Sequence, residues 1–306
     1  MTNLTLPIFT DANKAREHLE ALHWPNGPVC PNCTATNEAT LIKGASVRPG
    51  LYQCNACRKP FSVTVGTVME RSHIPLNKWV LAFHLMASSK KGMSAHQMHR
   101  MLGVTYKSAW FMCHRIREAM GLPANPEPVG GKGVIVEADE TELAPSRKTK
   151  GVKSRAKNQR FVALVERDGQ VRSAVIDGRD MQDVRAAVRA NLDPASILHT
   201  DGAQFYKGMM PVGQHESVDH NKMYARDSNN GRVHTNTAEG YFSIFKRGLV
   251  GTYQHISPAH LPRYLAEFDF RMNNRVALGV NDTVRAERAM KGARGKRLHY
   301  QGTSAA

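Results

Sequence analysis

The stretch Val134-Ile135-Val136-Glu137-Ala138-Asp139-Glu140-Thr141 decides how the chain is read. Three consecutive β-branched residues predict a buried strand, and the acids after them put carboxylates at its far end. Before this stretch lie paired cysteines and basic helical patterns. After it come a hairpin, a crossover helix, a second strand ending in acid, and a helix with one polar face. That order points to a metal-dependent, nuclease-type core behind a DNA-binding front.

Working downstream, Phe161–Val165 and Val171–Ile176 flank Asp168-Gly169, a hairpin signal that makes three antiparallel strands with the first. Asp180 begins a helix with Met181, Val184, Ala187 and Val188 on its apolar side. Ser196–Thr200 then forms a strand closed by Asp201-Gly202. A helical crossover implies parallel pairing, so Asp139 and Asp201 are expected at the same sheet edge. In the segment from His234 to Lys246, Asn236, Glu239, Ser243 and Lys246 share one quadrant of a helix. Ala238, Tyr241, Phe242 and Phe245 lie opposite. The aromatic side is expected to pack on the sheet and the polar side to meet the two aspartates. Ser257-Pro258 opens a further helix, with Leu261, Tyr264, Leu265, Phe268 and Met272 expected inward and Glu267, Arg271 and Arg275 outward.

Between the first two strands, residues 143–160 carry seven basic side chains and no acid. Arg147, Lys148, Lys150, Lys153, Arg155 and Lys157 are therefore expected in a basic loop gripping a phosphate backbone. The rest of the chain agrees, because a net charge of +16 repels itself unless a polyanion neutralises it. Neither an 18-residue apolar run nor a signal segment is seen, which places the expected protein in the cytoplasm.

Upstream, Cys30-Pro-Asn-Cys33 and Cys54-Asn-Ala-Cys57 stand twenty residues apart. Four thiolates so spaced suit a structural zinc ribbon with Zn²⁺ held by Cys30, Cys33, Cys54 and Cys57, a set that leaves no open position for substrate. The fifth cysteine, Cys113, reads as a small buried apolar residue. The fourteen histidines show no metal-binding spacing in the second half, and none is assigned a metal. From residue 75 to 120 the pattern is helical. Ser94 caps one short helix, a turn follows at Gly103, and a second helix from Lys107 carries Arg115 and Arg117. Helix, glycine turn and basic helix predict a helix-turn-helix with Lys107, Arg115 and Arg117 toward DNA. The expected organisation is an N-terminal helix (1–27), zinc ribbon (28–66), helix-turn-helix region (67–120), linker (121–130), catalytic domain (131–276) and a frayed basic tail (277–306).

Glu137-Ala-Asp-Glu-Thr141, His199-Thr-Asp-Gly202, His234-Thr-Asn-Thr-Ala-Glu239 with Lys246, Gly251-Thr-Tyr253, Arg263 to Phe268 and Arg271-Met-Asn-Asn-Arg275 resemble the zinc-ribbon DDE transposases of bacterial insertion sequences, the Merlin-like superfamily. The resemblance implies an α/β, ribonuclease-H-like mixed sheet with flanking helices. It also implies two Mg²⁺ ions and action on double-stranded DNA at terminal inverted repeats and at a target, by a homo-oligomer. Catalytic roles then fall to Asp139, Asp201 and Glu239 as Mg²⁺ ligands and to Lys246 at a phosphate. Members of the family differ over whether Asn or Glu is the third ligand, and this chain carries both Asn236 and Glu239. The competing reading is a non-catalytic DNA-binding regulator, which has no need of carboxylates gathered at two strand ends.

Overall fold

The computed structural model describes residues 3–143, 159–176, 180–211, 213–219 and 222–298. The basic loop residues Arg147, Lys148, Lys150, Lys153, Arg155 and Lys157 lie outside them. Two compact units result, one of residues 1–121 with 280–306 and one of residues 122–279.

In the first unit, helices α1 (Pro7–Thr10) and α2 (Ala12–His23) precede a small antiparallel sheet of β1 (Ala39–Leu41), β2 (Tyr52–Cys54) and β3 (Pro60–Phe61). The Asp11 carboxylate caps α2 by accepting from the Asn13 and Lys14 N–H groups. Helices α3 (Leu76–Ser88), α4 (Ala95–Leu102) and α5 (Tyr106–Met120) follow. Ser94 caps α4, Gly103 ends it in the left-handed region at φ 59°, and Thr105 caps α5. Cys113 is buried in α5, as its setting among apolar residues predicts.

Two expectations fail here. Part of the expected frayed tail is ordered: Asp282–Lys291 forms a helix that packs on α3, α5 and α2. Ala286, Ala289 and Met290 are buried along one side of it, a helical stripe hidden in a composition that looks merely basic. Buried Arg285 donates to the carbonyls of Ala87 and Val280 and to Asp282, so this arginine is structural. The arginines of α5 also turn inward. Arg117 is 2% exposed, and Arg115 lies over the Phe111 ring and donates to the Glu70 carbonyl. Arg117 is thus hidden and Arg115 half-buried, because the apolar face of α5 includes Ala109, Met112, Cys113, Ile116 and Met120 and leaves little of its C-terminal half outside.

The second unit is built on a five-stranded mixed sheet. Its strands are β4 (Ile135–Leu143), β5 (Gln159–Glu166), β6 (Val171–Ile176), β7 (Ile197–Asp201) and β8 (His215–Val218), in the order β6-β5-β4-β7-β8. The first three are antiparallel, and β7 and β8 run parallel to β4. Helix α6 (Met181–Arg189) is the crossover; Asp180 and Asp183 close a capping box at its start. A ribbon of β9 (Arg226–Ser228) and β10 (Gly231–Val233) leads to α7 (Asn236–Gly248), then α8 (Leu261–Asn273). The helix at Asp282–Lys291 completes the series as α9.

Strand alternation gives the sheet two apolar faces. One carries Phe161, Ala163 and Val165 against Tyr241, Phe242, Phe245, Leu265 and Phe268 of α7 and α8. The other carries Val136, Ala138, Val162, Leu164 and Leu198 against Val184 and Val188 of α6 and Tyr206. The linker does not float free to residue 130: Val129 is buried and exchanges backbone bonds with Asn191 and Asp193, while Arg172 donates to the Glu127 carbonyl. A third correction falls on α8, where Glu267 and Arg271 are buried. The two pair with each other, Tyr253 donates to Glu267, and the Arg271 guanidinium lies 4.4 Å over the Phe268 ring. Matched charge and a ring face let this pair enter the core, something helical periodicity does not reveal.

Candidate metal centre and active site

The zinc centre is assembled from two tight turns. Each opens at a cysteine carbonyl that accepts from a residue with positive φ: Thr34 N–H to Cys30 and Arg58 N–H to Cys54. The sulfurs of Cys30, Cys33, Cys54 and Cys57 all lie within 4.8 Å of one another, with Cys33–Cys54 at 3.5 Å and Cys30–Cys57 at 3.7 Å. Zinc at about 2.3 Å from four tetrahedral sulfurs separates them by about 3.8 Å, so the set fits the ion. Burial works against ionising Cys30, but the backbone N–H groups of Asn32 and Cys33 outweigh it and bring the thiol down to about 6. Cys33 goes the other way. Although the Ala35 N–H favours its thiolate, sharing with Cys54 pushes it up to about 12, because crowded thiols cannot all ionise without a cation. Trp24, Tyr52 and Phe61 pack edge-on or stacked beside the centre.

Cys54→Ser is expected to reduce bound zinc from about one per chain to well below that and to loosen the module, since an incomplete tetrahedron holds the ion poorly. Metal analysis of protein purified without chelators measures it; full zinc content in the variant would contradict the assignment.

The acidic site follows from the register of β4. Glu137, Asp139 and Thr141 lie opposite Val165, Ala163 and Phe161, so their side chains share the face that α7 covers. Glu140 points to the other face, where it accepts from the Tyr206 hydroxyl at 2.8 Å. Parallel pairing sets Glu137 beside His199 and Ala138 beside Thr200, so Asp139 and Asp201 each follow the last paired residue of their strand. On α7, Ala238, Tyr241, Phe242 and Phe245 are buried and Asn236, Glu239, Ser243 and Lys246 are exposed, the division helical periodicity predicts. Tyr241 locks the helix down by donating to Asp269 at 2.5 Å, and the Ser173 N–H also donates to Asp269.

Asp139 senses the acids around it. Burial first, then the charges of Glu140, Asp201 and Glu239, raise Asp139 to about 7, against the pull of the Glu140 N–H. A divalent cation would relieve that repulsion, so the donor set suits one chemically. These acids form a wider rim than the thiolates do. Among the described residues, only the four cysteines gather three or more ligand atoms within 4.8 Å.

Because ionised Asp139 is disfavoured in the folded chain, its contribution to stability is greatest below the usual carboxylate range and is lost as pH rises through about 7. Asp139→Asn removes that penalty and is expected to raise the melting temperature of the metal-free protein at pH 8 by roughly 2–5 °C. A lowered melting temperature would show that Asp139 is a structural acid.

Sequence reasoning missed Glu137 as a positioning group. Its fully buried carboxylate accepts from Thr237 N–H at 2.8 Å, Ala238 N–H at 3.2 Å, Thr237 Oγ1 at 3.0 Å and Arg167 Nε at 3.0 Å, with His234 Nδ1 at 3.1 Å. Thr235, the residue before α7, makes no side-chain cap of its own, so the cap arrives from a strand about 100 positions earlier. Arg167 also bonds His199, whose imidazole is lowered to about 4 by burial and then by that guanidinium. The available signal was the two-residue spacing to Asp139: an acid on the same strand face but deeper in the core must have donors.

Comparison with known proteins accords with this layout. Residues 129–273 match the ISXO2-like transposase domain, and residues 10–60 match the transposase zinc-ribbon domain. Over these two parts the chain is similar to the zinc-ribbon transposases of insertion sequences. It is also 25% identical over 283 residues to an uncharacterized protein in transposable element ISH50 of Halobacterium salinarum, covering 88% of this chain and 93% of that one. Among the described residues no helix is long and apolar enough to cross a membrane.

Proposed function

We propose that the protein cleaves DNA at the ends of its own element and joins the freed 3′-hydroxyls to target DNA, using a ribonuclease-H-like sheet and Mg²⁺. What supports this reading is that Asp139 and Asp201 each follow the last paired residue of parallel strands, and that the charges of Asp201 and Glu239 both raise the proton affinity of Asp139. Asp139, Asp201 and Glu239 would hold the ions, which when bound supply charge relief at the phosphate and a stronger nucleophile. Lys246, two turns beyond Glu239 on the same exposed face, would contact a backbone phosphate near the scissile bond. Asn236, at the start of α7, would orient groups around the reacting phosphate. Glu137 and Arg167 would keep α7 at the height the acids require. Helices α4 and α5 are read as a helix-turn-helix, and the loop around Arg147–Lys157 as a sequence-independent grip on phosphates.

The test is Mg²⁺-dependent nicking of a labelled duplex carrying the element's end. Tight binding without cleavage in Mg²⁺ or Mn²⁺ would instead favour a DNA-binding regulator.

A further inference from the structure

With Arg115 and Arg117 turned inward, the DNA-facing surface of the helical region must be sought elsewhere. The 47 residues from Arg71 to Arg117 contain eight Lys and Arg and no Asp or Glu, so this part of the unit offers no carboxylate to repel phosphate. Within it, α4 buries Met98 and Leu102 and exposes His96, Gln97, Arg100 and Met101. The first turn of α5 exposes Tyr106 and Lys107, while most of the rest of that helix is buried. Met101 and Tyr106 are 48% and 45% exposed, unusual for large apolar side chains beside so many cations.

The patch is held rigid. The His96 and Tyr106 rings stack with centroids 4.2 Å apart, Thr105 caps α5 through the Ser108 N–H, and His99 Nδ1 lies 2.9 Å from the Val104 carbonyl. Flat rings, a methyl-bearing thioether, an amide and two cations on one fixed surface match what a major groove displays: base edges, thymine methyls and flanking phosphates. A helix buried beyond its first turn can enter the groove only by its N-terminal end, where base contacts are made in such motifs.

We propose that the exposed face of α4 with the first turn of α5 reads the sequence of duplex DNA, with Tyr106 and Lys107 at the bases and Arg100 on a phosphate. This rests on the transposase reading for the identity of the DNA, the ends of the element.

The experiment uses the full-length, zinc-loaded protein and a pool of randomised duplexes, followed by titration of the enriched duplex and a shuffled duplex of equal length. The wild type should enrich one motif. Tyr106→Ala and Lys107→Ala should each cut discrimination between the two duplexes about tenfold while zinc content and helicity stay unchanged. Arg100→Ala should weaken both duplexes alike and lower the salt slope by about 0.9. The proposal is overturned if the wild type enriches no motif, or if the Tyr106 and Lys107 variants keep full discrimination. It is equally overturned if those variants weaken both duplexes equally, which would make the face a phosphate grip alone. Cleavage of the enriched duplex in Mg²⁺ is scored separately: a motif without cleavage upholds this face and removes the catalytic reading.

Discussion

Glu239→Gln is expected to abolish Mg²⁺-dependent strand cleavage, by a factor of about 10³ or more, while Asn236→Ala leaves measurable activity. Both side chains are exposed on the same face of α7. Only Glu239 brings a charge, and that charge already reaches Asp139, whose proton affinity it helps to raise. A hard divalent ion selects anionic oxygen over a neutral amide. Asn236 sits at the first position of α7, where its N–H faces His234 Nδ1 at 3.3 Å, a place suited to a supporting role. If Glu239 served only as a surface ion-pair partner, its loss would cost less than about 1 kcal/mol and cleavage would persist. Measuring folding, end binding and cleavage in Mg²⁺ and Mn²⁺ for both variants decides the matter; the reverse order of effects would transfer the ligand role to Asn236.

The second large effect belongs to Glu137. Glu137→Ala strips the acceptor from Arg167, Thr237 and Ala238 at once and leaves an arginine only 21% exposed without its carboxylate. Breaking a buried pair on one side costs about 3–5 kcal/mol, so the variant should unfold at markedly lower denaturant. The more telling measurement is hydrogen exchange in Glu137→Gln, which keeps an oxygen acceptor and the side-chain volume. Amides in the first turn of α7 should lose protection, while those of α2 and of the helical front stay protected, and cleavage should fall with end binding intact. Unchanged protection at Thr237 and Ala238 would mean that α7 is held by its aromatic face alone, through Tyr241, Phe242 and Phe245 packed on the sheet.

How much of this was legible beforehand depends on the range of the interaction involved. The zinc ligands, the α2 and α4 starts, the β5–β6 hairpin and the two faces of α7 follow from neighbours a few positions apart. Cysteine spacing, a capping Asp11 or Ser94, and strand or helix periodicity are local, and each element can form them alone. The parallel pairing of β4 with β7 was also legible, because a helical crossover constrains strand direction. Short strands such as β8, β9 and β10 were not, since three or four mostly polar residues carry no alternation to detect.

What tertiary structure alone decided are the groups whose partners lie far along the chain. Glu137 looks like one more acid in a motif, yet its donors come from α7 and from Arg167, and only folding makes it the cap of a helix 100 residues away. Arg285 looks like part of a basic tail, and Arg117 like a DNA contact, until α9 returns to the front unit and α5 turns its apolar side inward. Glu267 and Arg271 look like a solvated pair, but each neutralises the other and Tyr253 covers them. The physical reason is the same in each case: charge disfavours burial by itself, so a sequence places a lone charge outside, and only a partner brought by the fold reverses that sign.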